Sequence, residues 1–480
     1  MIAGNPPWLS YRYLKDETYK ARVKELTFAH GLLGKDERKL FTQMDTATLF
    51  VAQCEREFLR PGGVLGMVLP KTVILPAKQH LAFQRAGFTE VHDFTGVEPL
   101  FNVRTCMIVR RAPYGAANVP RYSWRGKLGA RNLSLREARP ALSMEEDTVS
   151  FDALAGEYSP YYSKFFNGAS LFPRCLCFVE PDPDAVLNAK APLVRTAEAA
   201  YDESKKEWRL RVEGKVECQF LYGSVLAKDL LPFAVRRLLL VALPVVENSH
   251  GDLQMLDANE ALSQGHQHAH DWFAQAEKVW NEGRKDNKQS FAQRLNYSGL
   301  LTAQHLRAPF IVLTNAAGKN LSAALLTNDE CKRIGKLPIR GFVAQHKNLV
   351  CYTATEEEAH YLVGVLNSSF VNQVIKPFQT QGLLGERDIE RRPFEVCNIP
   401  IFDPADPLHQ EIAAVSAAAR AELLPHVSKL QVPVAAARAW ARERVADKLA
   451  KLDTLTRRLL HGAPATARAK KTTTAQPELL

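Results

Sequence analysis

The residues best equipped for chemistry stand at the start of the chain, where Gly4-Asn5-Pro6-Pro7-Trp8 follows a short apolar Ile2-Ala3. The two prolines have fixed φ angles and no N–H, so the carbonyls around them point in set directions and the segment forms a stiff shelf of acceptors. An amino group on an aromatic ring is a poor nucleophile, because its lone pair is delocalised. Asn5 Oδ1 and the Pro6 carbonyl can accept its two N–H bonds and favour a more tetrahedral nitrogen as it attacks a methyl group, a form of electrostatic preorganisation. Trp8 adds a ring face for stacking. No strong general base is needed if the proton leaves after the methyl group arrives. The plainer alternative is an Asn-Pro-Pro turn ahead of a core tryptophan.

The elements that must hold this shelf read as alternating helix and strand over residues 1–115. A polar amphipathic stretch around Tyr19–Leu33 precedes MDTATLFVAQCEREFL, whose apolar residues recur at helical spacing until Pro61-Gly62-Gly63 ends them. VLGMVLP is too short for a helix and suits a buried parallel strand. Pro76–Gly87 reads as helix, Val91–Phe94 as a short strand, and Thr105–Val109 within NVRTCMIVRR as another.

From about residue 116 the pattern changes, and residues 116–400 read as one or two mixed modules serving recognition. LCFVEP, the WRLRVEGKVECQFLYG region, FIVLTN (310–315), IRGFVAQ (339–345) and LVCYTA (349–354) suggest strands. Ala258–Asn287 and EEAHYLVGVLNSSFVNQVI suggest helices. The stretch 401–460 is rich in alanine and leucine with interspersed charge, so it reads as helix, interrupted at Pro433. Residues 461–480 carry few large apolar side chains and read as a disordered basic tail.

Composition bounds the answer without choosing it. The 480 residues are 46% hydrophobic and 24% charged, an ordinary globular balance. Sixty-two Lys plus Arg against 52 Asp plus Glu give a net charge of +10, which allows steering toward a polyanion without demonstrating one. Eight cysteines form no dense disulfide pattern, and MIAGNPPW has neither the basic run nor the apolar stretch of a signal peptide. A reducing, cytoplasmic setting is expected. Apolar runs such as Leu238–Pro244 fall far short of the roughly 20 residues needed to cross a bilayer, so no membrane partner is expected.

GNPPW, the helix MDTATLFVAQCEREFLRPGG, the strand VLGMVLP and the later LFNVRTCMIV together resemble the second half of the catalytic domain of S-adenosylmethionine-dependent DNA N6-adenine methyltransferases. The resemblance is to the large enzymes of restriction-modification and related phage-defence systems. It implies an α/β fold: the C-terminal half of a Rossmann-like class I methyltransferase sheet, then a mixed α+β target-recognition region and C-terminal helices. It also implies that Asn5 and Pro6 accept from the target amino group, with Pro7 completing the motif. Trp8 would stack on the flipped adenine and Phe101 pack against its other side or edge. Such a pocket would offset the few kcal/mol that base flipping costs. Farther on, GASLFPR (168–174) with LCFVEP resembles the entry to the family's target-recognition region, while Tyr361–Phe370 and GERDIERRPFEVCNIPIF (385–402) resemble its closing segments. The implied cofactor is S-adenosylmethionine and the implied partner double-stranded DNA.

One departure from the family pattern stands out. These enzymes carry a glycine-rich loop and an acidic residue ahead of the NPPW-type motif, which hold the methionine and ribose parts of the cofactor. Only four residues precede Asn5, and Gly62-Gly63 follows a helix and introduces a strand, so it is no substitute. The expectation is a chain lacking the cofactor-binding half, either truncated or completed by a separate polypeptide, with truncation favoured. The strand leading into Asn5 would then be a short uncovered edge.

Among the basic residues, Arg12 lies just after the shelf, Lys71 follows a strand end, and Arg236-Arg237, Arg387 and Arg391-Arg392 lie in the expected recognition segments. Arg12, Lys71, Arg387 and Arg391 are the candidate DNA contacts, since phosphate contacts suit Lys and Arg generally. His266, His268 and His270 have poor metal geometry on a helix, and no metal is expected. Cys175 and Cys177 share the alternation of an apolar strand. Two other functions remain open: methylation of an RNA base or a protein glutamine, and DNA binding without catalysis.

Overall fold

The computed structural model describes residues 1–480 apart from 76–77, 152–157, 250, 285–288, 380, 383–384, 387 and 462–480. It divides into two compact units. The first is Met1–Tyr158 with Lys376–Arg387, and the second is Ser159–Ile375 with Asp388–Leu480.

The first unit is built on a six-stranded open sheet. Its elements run β1 (Ile2–Gly4), α1 (Glu17–Ala29), α2 (Thr46–Phe58), β2 (Val64–Pro70), α3 (Leu81–Arg85), β3 (Glu90–Glu98), β4 (Thr105–Arg111), β5 (Val119–Lys127), α4 (Leu135–Ala138) and β6 (Leu142–Val149). Strand order is β1-β2-β4-β3-β5-β6. β1 pairs in parallel with β2, and β3 with β5; the other pairings are antiparallel. The sheet is therefore mixed, and β2 has one parallel and one antiparallel neighbour. The sequence boundary expected near residue 115 falls inside this sheet, between β4 and β5.

Local chemistry explains the helix starts. The Asp16 side chain accepts from the Tyr19 amide and the Asp45 side chain from the Ala47 amide, so each satisfies an otherwise unpaired donor of the first turn. After α2 the chain turns through Gly62 at φ +72°, a left-handed conformation that glycine adopts without a Cβ clash. Strand periodicity then sorts the faces. Leu65, Met67 and Leu69 of β2, Cys106 and Ile108 of β4 and Val91 of β3 are buried in one apolar core with Val51 and Phe83. Arg110 is only 2% exposed in the same layer. On the other face His92 stacks on Tyr122, with centroids 5.0 Å apart, and its Nδ1 accepts from Trp124 Nε1 at 3.1 Å. Expected helix over Pro76–Gly87 is only the short α3 and one 3-10 turn, Lys78–His80, with residues 76–77 outside the described set.

Among its described residues the second unit holds two larger sheets and two two-stranded pairs. Its strands and helices are β7 (Phe166–Asn167), α5 (Arg174–Cys177), β8 (Phe178–Pro181), β9 (Leu193–Thr196), α6 (Glu198–Glu203), β10 (Glu213–Lys215), β11 (Leu221–Ser224), β12 (Leu239–Ala242), β13 (Val245–Glu247) and β14 (Leu253–Met255). There follow α7 (Ala258–Ser263), α8 (Gln267–Gly283), α9 (Phe291–Leu295), β15 (Phe310–Asn315), β16 (Ala323–Thr327), β17 (Arg333–Ile334), β18 (Leu337–Pro338) and β19 (Asn348–Thr353). Helices close the unit: α10 (Glu356–Asn367), α11 (Ser369–Ile375), α12 (Arg392–Val396), α13 (Pro407–Val427), α14 (Val434–Arg444) and α15 (Ala446–His461). The two-stranded pairs are β13-β14 and β17-β18, and the larger sheets are ordered β10-β9-β8-β12-β11 and β16-β15-β19-β7. α10 and α13–α15 share one core with the second of them, through Leu362, Leu366, Ile412, Leu423, Ala441 and Leu452.

Several expectations change here. Cys175 and Cys177 lie in the helical turn α5 that starts after Pro173, and the strand begins only at Phe178; both cysteines are buried. IRGFVAQ forms no strand. It makes isolated bridges through Phe342 and Gln345, after Gly341 at φ +147°. The polar helix after Ala258 is two helices divided at Gly265, and the helix after Thr355 is divided at the extended Ser368. Pro433 separates α13 from α14, where it stands as the N-cap. The proposed tail lies outside the described residues beyond His461. No described helix is long and apolar enough to cross a membrane.

Candidate active site

Asn5 leaves the sheet at the C-terminal end of β1, so the parallel pairing of Ile2–Gly4 with Leu65–Met67 sets where the shelf begins. Pro6 is buried, whereas Asn5 and Pro7 are exposed. The segment is braced from α2. Thr46 Oγ1 donates to the Pro7 carbonyl at 2.8 Å and accepts from the Leu9 amide at 3.2 Å, while the Thr46 amide donates to the Leu9 carbonyl at 2.9 Å. One residue thus closes the shelf onto the first turn of a helix. Among the described residues the Asn5 carboxamide and the Pro6 carbonyl have no hydrogen-bond partner. They are available acceptors next to a fixed backbone.

Trp8 is oriented by its own hydrogen bond. Its indole Nε1 donates to the Val68 carbonyl of β2 at 3.2 Å, which spans from the shelf to the neighbouring strand. Phe101 is 38% exposed, and its ring lies 5.2 Å from that of Trp8 at an interplanar angle of 48°. The two expected aromatics are together, and in direct contact with each other. A planar ligand would stack on the free part of Trp8 or separate the pair.

Beside Trp8 is a cavity of about 270 Å³ lined by Trp8, Asp45, Lys71, Thr72, Arg104 and Gln379 among others. One lining residue, Lys71, belongs to an ion pair that sequence reading missed. Lys71 Nζ lies 2.5 Å from Asp93 Oδ2, with both side chains about one-tenth exposed. Burial by itself would push the Asp93 carboxyl up. The Lys71 charge and hydrogen bond, with two bonds from Thr95, outweigh it and hold that carboxyl below the usual range. Asp45 behaves oppositely: burial raises its carboxyl against the bond from Ala47. Arg104 Nη1 lies 3.5 Å from the carbonyls of Lys376 and Gln379, tying the returning segment to this wall.

The candidate DNA contacts separate. Arg12 is exposed beside the shelf, its Nε bonded to Ser10 Oγ at 3.2 Å. Lys71 is turned inward and its charge is compensated by Asp93, a placement unlike an outward phosphate contact. Arg391, in the second unit, lies over the Tyr162 ring at 5.1 Å. Arg387 lies outside the described residues. His266 caps α8 and bonds Gln219, and His270 bonds the Ala258 carbonyl.

No family model matches the sequence, and no curated protein matches it. Among solved structures the fold is similar to that of the Type IIL restriction-modification enzyme MmeI in complex with DNA. That match has a TM-score of 0.53 at 11% identity and covers 97% of this chain. The chain spans 55% of the length of that enzyme. Weaker matches are the Type IIG restriction endonuclease BpuSI, with TM-score 0.29, 12% identity, and 96% of this chain and 54% of that one covered, and the ATP-dependent Type ISP restriction-modification enzyme LlaBIII bound to DNA, with 0.37, 9%, 88% and 29%. The likeness to MmeI is one of fold: a mixed α/β chain with several sheets and C-terminal helices.

Proposed function

We propose that this chain forms the target-base side of a DNA methyltransferase that moves a methyl group from S-adenosylmethionine to adenine N6 in double-stranded DNA, in the manner of a restriction-modification enzyme. The observation that carries the reading is the pair of acceptors without a partner among the described residues, Asn5 Oδ1 and the Pro6 carbonyl, beside a tryptophan pinned by its indole N–H. Similarity of fold to a restriction-modification enzyme in complex with DNA supports it.

The chain's own residues would act as follows. A flipped adenine stacks on Trp8, and its amino group donates one N–H to Asn5 Oδ1 and the other to the Pro6 carbonyl. Both bonds draw the nitrogen toward tetrahedral geometry and localise its lone pair for attack. The Thr46 brace keeps the acceptors from following the substrate, so their dipoles need not reorganise. Trp8 and Phe101 exclude water from one side. The proton is lost to solvent after transfer.

The cavity beside Trp8 is small for the methyl donor. Its volume of about 270 Å³ lies below the roughly 300–1,000 Å³ of pockets for ligands of that size. Its one carboxylate, Asp45, is engaged as the cap of α2, and its lining Lys71 is paired with Asp93. In this reading the donor's seat lies on polypeptide beyond these 480 residues, contiguous or separate, and the isolated chain binds DNA without turning over. The coding sequence around Met1 identifies that polypeptide. The completed enzyme is then given duplex DNA, and the nucleosides are analysed for N6-methyladenine. Methylation of RNA or of a protein glutamine instead would redirect the reading; transfer undiminished by Asn5→Ala would end it.

A further inference from the structure

In the second unit two arginines are held more firmly than ordinary surface charges. Asp229 is fully buried, and its Oδ1 accepts from Arg236 Nε at 2.9 Å and from Arg237 Nε at 3.2 Å. Arg236 Nη2 lies 2.9 Å from the same oxygen, and its Nη1 donates to the Val432 carbonyl at 2.9 Å. Arg236 is thereby spent on structure. Arg237 is not: Nη1 and Nη2 make no hydrogen bond among the described residues, and its side chain is 47% exposed. Two guanidiniums against one carboxylate leave one positive charge uncompensated.

Both arginines line a cavity of about 240 Å³ whose other wall is Ser428, Leu430, Gln431 and Val432. That wall follows the C-terminal end of α13, a place where free carbonyls would repel an anion. Here the carbonyls of His426 and Val427 are taken by the amides of Lys429 and Leu430. The amides of Gln431 and Val432 donate to no backbone or side-chain acceptor among the described residues. The cavity therefore presents donors and net positive charge, and it is too small for a nucleotide but roomy enough for one tetrahedral oxyanion. A guanidinium already fixed through Nε offers its two Nη groups as a fork, the geometry that suits phosphate, and little side-chain freedom is left to lose on binding.

We infer that Arg237, aimed by Asp229, is a binding site for a phosphoryl group, and that the group is a backbone phosphate of DNA. The phosphoryl chemistry follows from the cavity itself; DNA as its source rests on the reading given under Proposed function.

The test uses the full chain. Binding to labelled duplexes of unrelated sequence is followed by anisotropy between about 50 and 200 mM salt, the range over which phosphate contacts dominate the change in affinity. Arg237→Ala is expected to weaken all duplexes alike and to lower the slope of log K against log salt by about 0.9, the value of one phosphate. Arg237→Lys should recover part of the slope. In the unsubstituted chain, phenylglyoxal labelling of Arg237 is read by peptide mass spectrometry with duplex or inorganic phosphate as protectant. Protection by duplex together with the lower slope supports the site and its source. Protection by inorganic phosphate in a chain that binds no DNA supports the phosphoryl site and overturns both DNA as its source and the proposed function. An unchanged slope without protection by either overturns the site while leaving the acceptor shelf at Asn5 and Pro6 untouched.

Discussion

Trp8 donates its indole N–H to the main-chain carbonyl of Val68, so the ring that would receive a base is registered to β2, a strand sixty residues away in sequence. Trp8→Phe removes that bond and keeps a stacking face; Trp8→Ala removes both. With 2-aminopurine as the target base in a duplex, the unsubstituted chain should raise its fluorescence by unstacking it. Trp8→Ala should weaken this binding by about 1–3 kcal/mol, the worth of one base–aromatic stack, and Trp8→Phe by less. Equal affinities for all three chains would remove Trp8 from the base site.

Asn5 is exposed and has no hydrogen-bond partner among the described residues, so its replacement separates function from stability. Asn5→Ala should shift stability by no more than about 0.5 kcal/mol. Methyl transfer by the completed enzyme should fall by about 10²–10³-fold, the loss seen when one preorganised polar group is removed. Calorimetry and product counting on the same preparations make the comparison, and a large change in melting temperature would place Asn5 in the structural framework.

Lys71 and Asp93 give an acid-sensitive contribution with a definite sign. Because the folded carboxyl titrates below its unfolded value of about 3.9, the stability it lends is fully present above that pH and is lost as pH falls through the lower folded value. Asp93→Asn leaves the mostly buried Lys71 charge uncompensated and should cost about 3–5 kcal/mol at neutral pH. Its acid-unfolding profile should be flatter below pH about 4 than that of the unsubstituted chain. A parallel pair of profiles would show that the ion pair contributes nothing.

Burial sets a second, earlier acid transition. His80 is 2% exposed, and burial depresses its imidazolium to about 4. The unfolded chain, titrating near 6.5, binds the proton first, so stability falls as pH drops from about 6.5 toward 4, by roughly 3 kcal/mol over the whole shift. His80→Leu should abolish that part of the pH dependence, as read by denaturant melts at pH 7 and pH 5.

Arg110 is the largest fully buried side chain, held by Glu55 Oε2 at 2.6 Å and by the carbonyls of Gly87 and Phe83 at 2.9 and 3.0 Å. Glu55→Gln removes the countercharge and should destabilise the first unit by about 3–5 kcal/mol. Hydrogen exchange of the β4 amides should report it. Protection unchanged from that of the original chain would mean that the two carbonyls suffice.

The legible parts of this molecule were those whose cause is local. Asn5, Pro6 and Trp8 lie within five residues, and α2 and β2 follow their own periodicities, so the shelf and the elements around it could be read in order. The brace could not: Thr46 meets Pro7 across 39 residues, and threonine at a helix start has an ordinary reading as a first-turn residue. Asp93 was obscured because one carboxylate at an inward strand position looks like a break in alternation, and only its meeting with Lys71 makes it tolerable there. β6 escaped notice because LSMEEDTV is exposed along its middle and has no apolar face; it joins the sheet through backbone pairing with β5. Cys175 and Cys177 misled for the converse reason, since their alternation fits a strand but Pro173 begins a helical turn.

The first unit is assembled from two stretches of chain, because Lys376–Arg387 returns to it after more than two hundred residues spent in the second. In genetic terms the two units are interleaved rather than consecutive. A single stop codon or fusion junction after Tyr158 would strip the first of Gln379 and of the carbonyls that meet Arg104. Recombination that exchanged only the second unit would need two crossovers to spare the returning segment, so the segment is inherited with the second unit while its packing belongs to the first.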